Sequence, residues 1–215
     1  MSDINLWTSA DHAKSYLASS DTIPHRTEGE AVLLELVPPE VKRILDLGTG
    51  DGRLLSLLKI DRPSVTSIAV DFSETMLEAA NKRFAGDAKT QVIAHNLDEQ
   101  LAVTLIKDGR FDAVVSSFAI HHLTHPRKRS LYLEIFDLLE PDGIFCNLEH
   151  VSSPTPAIHR HFLNAIGMAD TPLYPSNKLL DVETQLNWFR EIGFADVDCY
   201  WKWLELALLV GRKPN

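Results

Sequence analysis

The stretch Ile44-Leu45-Asp46-Leu47-Gly48-Thr49-Gly50-Asp51-Gly52 decides how this chain folds. Its first four residues read as a short apolar strand, and glycine then occupies every second position of a turn. Glycine tolerates positive φ and lets another group approach the backbone closely, so a strand that ends this way offers its carboxyl end to a ligand. Leu54, Leu55 and Leu58 follow at helical spacing. Further along, 65–70 is a second strand rich in β-branched residues. Ser73 then stands as the N-cap of a helix that carries Met76, Leu77, Ala80 and Phe84.

The same alternation continues to the end. Segments 91–94 and 111–116 read as third and fourth strands, and Pro126 suits the first turn of a helix that buries Leu131, Ile135 and Leu138. Pro141-Asp142-Gly143 predicts a turn before a fifth strand at 144–148. A helix at 182–192 ends on Gly193, and 197–203 and 206–210 are the last strands. Trp188, Phe189, Trp201 and Trp203 belong to the sheet–helix core on this reading. Upstream of the glycine turn, residues 31–36 make a short apolar helix.

Strands and helices in this order predict an α/β fold, a doubly wound, mostly parallel seven-stranded sheet. A single domain is expected, with an N-terminal helical lid segment (1–40) and a core at 41–151. A helical cap insertion follows at 152–180, containing Pro154, Pro156, Pro172 and Pro175, and the sheet ends in 181–215.

Composition narrows the function. At 215 residues, 45% hydrophobic and 24% charged, the chain can bury a substantial core. No apolar run reaches the ~20 residues needed to span a bilayer, and the first residues lack a secretory pattern, so a cytoplasmic protein without a membrane partner is expected. A net charge of −9 disfavours nucleic acid. Arg127-Lys128-Arg129, the densest basic run, reads as a solvated helix face. Cys146 and Cys199 fall in apolar runs and read as buried free thiols. No Cys-x-x-Cys pair exists, and no metal site is expected.

The glycine turn is not a pyrophosphate loop. Arg53 stands where a dinucleotide fingerprint needs a small residue, and no Gly-Lys-Ser/Thr follows. Asp71, at the end of the second strand, is placed to accept hydrogen bonds from both hydroxyls of a ribose, with Phe72 beside it for an adenine face. The turn and Asp71 together indicate a nucleoside ligand.

These residues, with Val70-Asp71-Phe72-Ser73 and Phe111-Asp112-Ala113-Val114-Val115-Ser116, resemble the class I (Rossmann-like) S-adenosyl-L-methionine-dependent methyltransferases, and most of all the branch that modifies small molecules. The resemblance implies S-adenosyl-L-methionine as cofactor and S-adenosyl-L-homocysteine as product. It places Gly48, Thr49 and Gly50 along the methionine part, Asp46 and Asp51 near its amino group, and Asp71 on the ribose. After the third strand the family reads adenine, and here stands His95-Asn96-Leu97-Asp98; Asn96 or Asp98 takes that contact, with the Leu97 N–H toward the ring. Ser117 and Phe118 line the sulfonium pocket. Arg26 and Tyr16, in the lid segment with Trp7 and His25, are expected at the methionine carboxylate and the pocket entrance.

On the acceptor side, His121, His122 and His125 follow the fourth strand, Glu149 and His150 end the fifth, and His159 and His161 lie in the insertion. Histidine titrates near neutrality and suits proton removal, so His122, His150, His121 and Glu149 are the catalytic candidates. Ser116-Ser117-Phe118-Ala119 replaces the Asn/Asp-Pro-Pro-Tyr/Phe turn of base- and amide-modifying members, which favours a small-molecule acceptor. The sequence is compatible with monomer and homodimer. Two competing readings are a nicotinamide oxidoreductase, which Arg53 opposes, and a non-catalytic S-adenosylmethionine-binding regulatory module.

Overall fold

A computed structural model describes residues 9–19, 23–101, 109–169 and 176–215, with only the backbone described at 16–19. The side chain of Tyr16 and all of Trp7, Pro172 and Pro175 lie outside the described residues.

Helix α1 (Ala10–Ser19) and helix α2 (Arg26–Leu36) precede the sheet. The strands are β1 (Arg43–Leu47), β2 (Thr66–Asp71), β3 (Thr90–Ala94), β4 (Phe111–Ser117), β5 (Leu139–His150), β6 (Ala195–Trp203) and β7 (Leu206–Arg212). Between them run α3 (Arg53–Asp61), α4 (Glu74–Arg83), α5 (His125–Leu138), α6 (Pro156–Ala165) and α7 (Val182–Ile192). The strand order is β3-β2-β1-β4-β5-β7-β6. Pairings from β3 through β5 are parallel, and β7 runs antiparallel to both β5 and β6. Chain order reverses between β1 and β4, which opens a crevice beyond their carboxyl ends.

Alternate strand residues feed two cores, as the pleat requires. Leu45, Leu47, Val114, Phe145 and Leu209 face α5 and α7, where they meet Leu131, Tyr132, Ile135, Leu186 and Phe189. Ile44, Ala69, Ala113, Val115, Cys146 and Val210 face α2 and α3, packing on Leu33, Leu54, Leu55 and Leu58. Phe189 is fully buried, and Trp188 and Trp201 pack against the two cores as expected. Trp203 leaves the core and stacks beside His25 at 4.3 Å. Cys146 is a buried free thiol whose pKa burial pushes up to about 12, whereas Cys199 is only half-buried.

Three further expectations need correction. The fifth strand begins at Leu139, because Leu139 pairs with Phe111 before the register shifts at Ala113, and the Pro141-Asp142-Gly143 bend is carried inside it. Ser73 occupies the N-cap position of α4 but makes no side-chain cap bond. Its own N–H is taken by Asp71 Oδ1 at 2.9 Å. The basic run is not a solvated face: Lys128 is 1% exposed, and only Arg129, paired with Glu191 at 3.1 Å, lies on the surface.

Arg62, buried just past α3, joins the helical layer to the chain before β1. Its guanidinium donates to the carbonyls of Leu34 (3.0 Å), Val37, Pro38 (3.1 Å) and Leu58 (3.4 Å). Leu34 and Leu58 lie in the last turns of α2 and α3, where carbonyls lack helical partners, and Val37 and Pro38 lie in the chain that leaves α2. Arg62→Met leaves several of these carbonyls buried without a donor, and the expected loss is roughly 2–4 kcal/mol. A urea unfolding midpoint unchanged from wild type would contradict this account.

Candidate active site

A cleft of about 230 Å³ opens at the carboxyl ends of β1, β2 and β4. The glycine turn forms its floor. Thr49 N–H donates to the Val70 carbonyl (2.9 Å), and Gly50 N–H donates to Asp71 Oδ2 (2.9 Å), so the turn is tied to the end of β2 at two points. A Cβ on Gly48 would lie 2.2 Å from the Ala119 methyl, and φ there is +65°. The turn therefore packs directly against the segment after β4. At Gly50 (φ +57°) the nearest atom to such a Cβ is Met76 Sδ at 4.0 Å. That space is open cleft, which a side chain would fill.

Acids gather at this floor. Asp46, 1% exposed, accepts from Thr49 Oγ1 at 2.6 Å. Burial raises its pKa to about 7 against the opposing Thr49 bond, with further upward push from Asp71 and Asp51. Asp71 is also raised by burial, although the N–H groups of Ser73 and Gly50 pull it down. Asp51 lines the cleft with one carboxylate oxygen paired to Arg83 and the other accepting from Arg53 N–H (3.2 Å). An acid raised in part by the charge of neighbouring carboxylates, as Asp46 is, favours a cation beside it.

The remaining walls are equally specific. Phe72, Met76, His95, Asn96, Leu97 and Asp98 line one side. Asn96 Oδ1 accepts from Asp98 N–H (3.0 Å), which shapes the turn that carries Leu97. Ser117, Phe118, Ala119, His122 and Leu123 line the other side, joined by Ser176 and Lys178 from the segment that precedes α7. His95 Nε2 and Ser117 Oγ are buried without a hydrogen-bond partner, both in cleft-lining residues. Buried polar atoms of this kind are satisfied when a polar ligand occupies the site. Arg26 lies with its guanidinium 5.5 Å from the Phe118 ring centroid and its Nε on Glu30 (2.8 Å). Glu30, nearly fully buried, also binds Arg53 at 3.0 Å. Sequence reasoning used Arg53 only as an argument against a dinucleotide; its place in the cleft wall, and that of Glu30 behind it, depend on α2 crossing the start of α3.

The histidine cluster divides. A 3-10 turn, Ile120–His122, points His122 into the cleft and His121 into the core. His122 Nδ1 donates to the Ser176 carbonyl (3.3 Å), which makes Nε2 its unprotonated nitrogen. Burial, then His121, holds its pKa down to about 2. Behind it, the His121 ring packs at 4.0 Å and donates from Nδ1 to Glu149 Oε1 at 2.7 Å. Burial lowers the His121 pKa and raises that of Glu149, which Lys128 opposes. His150 sits 5.6 Å from His121 and faces Glu205, not the cleft. Glu205 is fully buried between β6 and β7. It accepts from His150 Nε2 (3.0 Å) and from His159 Nδ1 (2.7 Å) on α6. Burial pushes the Glu205 carboxyl up, but the hydrogen bonds from His150 and His159 outweigh it and hold it below its ordinary value. His125 bonds the Leu179 carbonyl (3.1 Å) away from the cleft, and His161 is exposed. Nothing in the local sequence around Glu205 marks it as the node of this group; only the β6–β7 hairpin brings it there.

Among the described residues no group of three or more His, Cys, Asp or Glu side chains is arranged to hold a metal, and no helix is long and apolar enough to cross a membrane.

Comparison with known proteins identifies the architecture. A family model described as a methyltransferase domain matches residues 44–143. A demethylmenaquinone methyltransferase of Clavibacter sepedonicus is 30% identical over 178 residues, covering 76% of this chain and 69% of that protein. The chain belongs to the class I S-adenosylmethionine-dependent methyltransferases. S-adenosylmethionine is the methyltransferase's cofactor, and the acid floor, the open space at Gly50 and the orphaned His95 and Ser117 atoms fit it. A malonyl-[acyl-carrier protein] O-methyltransferase of Marinomonas sp. is 32% identical over 125 residues, covering 57% of this chain and 44% of that protein. Several curated relatives are thus longer, and the methyltransferase spans about half their length. Its fold also superposes on an O-methyltransferase family protein from Burkholderia thailandensis (TM-score 0.75, 19% identity, 97% of this chain and 62% of that one).

Proposed function

We propose that this methyltransferase, folded as one domain, methylates a small molecule whose reacting part is a flat, hydroxylated ring of the quinol type. The observation that carries the reading is the junction of two surfaces in one cleft. The acid floor of Asp46, Asp51 and Asp71 suits a cationic donor, and the wall of Phe118 and His122 suits a planar acceptor. The Clavibacter relative, named for demethylmenaquinone, supports the ring as acceptor.

When bound, S-adenosylmethionine would supply an electrophilic methyl whose bonding pair stays with sulfur as the acceptor's own electron pair replaces it, and the proton the acceptor gives up would pass to solvent water. The protein's own residues bind and align. Asp46, with Asp51, receives the ammonium, and Asp71 accepts from the ribose hydroxyls. Thr49 and Gly50 line the methionine path. Arg26 meets the methionine carboxylate, and Tyr16 is assigned to the entrance from its sequence position. Phe72, Asn96, Leu97 and Asp98 enclose adenine; Gly48, Ser117 and Phe118 border the sulfonium. Holding acceptor and methyl in line contributes on the order of 7–11 kcal/mol.

His122 is the residue that touches the acceptor. An imidazole this reluctant to take a proton orients the acceptor hydroxyl as a neutral hydrogen-bond acceptor, and gains basicity when an anionic ring lies beside it. His121 and Glu149 set its position from behind, and His150 supports them from the next strand.

The test has two arms. Calorimetry with S-adenosylhomocysteine measures the donor site. Labelled S-adenosylmethionine is then offered with 1,4-dihydroxynaphthalene kept reduced, and with a malonyl thioester as the ringless competitor. Label in the naphthalene product supports the reading. Tight S-adenosylhomocysteine binding with label only in the malonyl ester overturns the ring acceptor, and absence of binding overturns the donor site.

A further inference from the structure

The basic run Arg127-Lys128-Arg129 has no part in the chemistry just described, yet two of its three cations are withdrawn from solvent and end on backbone carbonyls at the cleft. Thr124 caps helix α5, its hydroxyl accepting from Arg127 N–H (3.4 Å). Consecutive helical residues point about 100° apart, so Arg127 and Lys128 leave the helix toward different walls.

Arg127 reaches the adenosine wall. Its Nε donates to the Leu97 carbonyl (2.7 Å) and its Nη2 to the Glu99 carbonyl (2.6 Å). Glu134, farther along α5, accepts from Arg127 and also from Leu101 N–H (2.9 Å). The segment 97–101 is thereby held at three backbone groups by one ion pair. Lys128 reaches the opposite wall. Its Nζ donates to the carbonyls of His121 (3.3 Å) and Lys178. Lys178 returns a backbone N–H to the same His121 carbonyl (2.9 Å) and its own Nζ to the His122 carbonyl (3.3 Å). One buried ammonium thus joins the turn that carries His122 to the irregular segment that carries Ser176. A lysine withdrawn from water is costly unless it is fully bonded, and carbonyls are what this one binds.

We infer that Arg127 and Lys128 are positioning residues with separate duties, Arg127 setting the cofactor wall and Lys128 the acceptor wall, from adjacent places on one helix. The inference rests on the assignment of the two walls given above. It turns a charge cluster that resembles a solvated surface into a two-sided clamp.

Four variants test it: Arg127→Met, Glu134→Gln, Lys128→Met and Lys128→Arg. The readouts are S-adenosylhomocysteine affinity by calorimetry, amide hydrogen exchange by segment, and KM for reduced 1,4-dihydroxynaphthalene. Arg127→Met is expected to weaken S-adenosylhomocysteine about tenfold, the scale of one lost charge-assisted hydrogen bond. Exchange should speed at 97–101 and not at 176–180, and Glu134→Gln should move the same way. Lys128→Met should leave S-adenosylhomocysteine affinity within about twofold, raise the acceptor KM, and deprotect 119–123 and 176–180. Lys128→Arg keeps the charge but not the compact geometry, so it should fold and show the same segment pattern more weakly. If each variant loosened both walls and weakened cofactor and acceptor alike, the division of duties would be wrong. Failure of the wild-type protein to bind S-adenosylhomocysteine would instead defeat the donor-site assignment, and the exchange pattern would still judge the clamp.

Discussion

Asp71→Ala is expected to bind S-adenosylhomocysteine at least about a hundredfold more weakly than wild type, because two hydrogen bonds to a charged acceptor are lost at roughly 1.5–3 kcal/mol each. The geometry adds a second loss. Asp71 Oδ2 accepts from Gly50 N–H and Oδ1 from Ser73 N–H, so the same carboxylate that we assign to the ribose also fixes the glycine bend and the start of α4. Asp71→Asn separates the two effects. An amide retains one acceptor and presents an N–H to one of the two donors, so the bend is disturbed even where a ribose hydroxyl can still be received. Calorimetry should rank wild type tightest, then Asn, then Ala, with the unfolding midpoint falling less steeply than affinity. Wild-type affinity in Asp71→Ala would mean that the nucleoside lies elsewhere.

The positions that were legible in sequence are those whose chemistry is local. The helix α7 runs from Val182 to Ile192 as read, because Asp181 accepts from Thr184 N–H (2.8 Å) at its start and Gly193 takes φ +116° at its end. The Asp46–Gly52 turn and Asp71 were legible because strand ends, glycines and acids recur at fixed spacing in a parallel sheet. The fifth strand began earlier than its sequence suggested, since a Pro-Asp-Gly bend can be absorbed by a register shift when a neighbour such as Phe111 supplies the pairing. The adjacency of β4 and β5 brings His121, His122, Glu149 and His150 together, whereas His125 and His161 lie apart from them. Which ring faces the cleft depended on the 3-10 turn, whose rotation leaves no trace in composition. Lys128 was misread for a related reason: its acceptors, at residues 121 and 178, come from both sides of it in the chain, and a charged triplet on a helix is solvated by default.

That dependence on tertiary placement bears on Asp46 as well. A carboxyl with a pKa near 7 is part-protonated at neutrality, and the cofactor's cationic groups call for its charged form. Apparent affinity for S-adenosylmethionine should therefore fall by the factor 1 + 10^(pKa − pH), which gives about a tenfold gain between pH 6 and pH 8. The stability of the ligand-free protein moves the opposite way. Asp46 binds its proton more tightly folded than unfolded, so its contribution is fully present below the ordinary carboxyl pKa and is lost as pH rises through about 7. On the proposed assignment of Asp46, binding and folding thus pull one proton in contrary directions, and a bound cofactor would relieve above neutrality the strain that the buried acid imposes. Asp46→Asn removes the titration: affinity should be weaker than wild type at pH 8 and nearly flat from pH 6 to pH 8, while the ligand-free variant gains stability at the alkaline end. A wild-type affinity that does not change across that interval would show that Asp46 keeps one protonation state throughout, and the acid floor would then have to draw its charge from Asp51 and Asp71 alone.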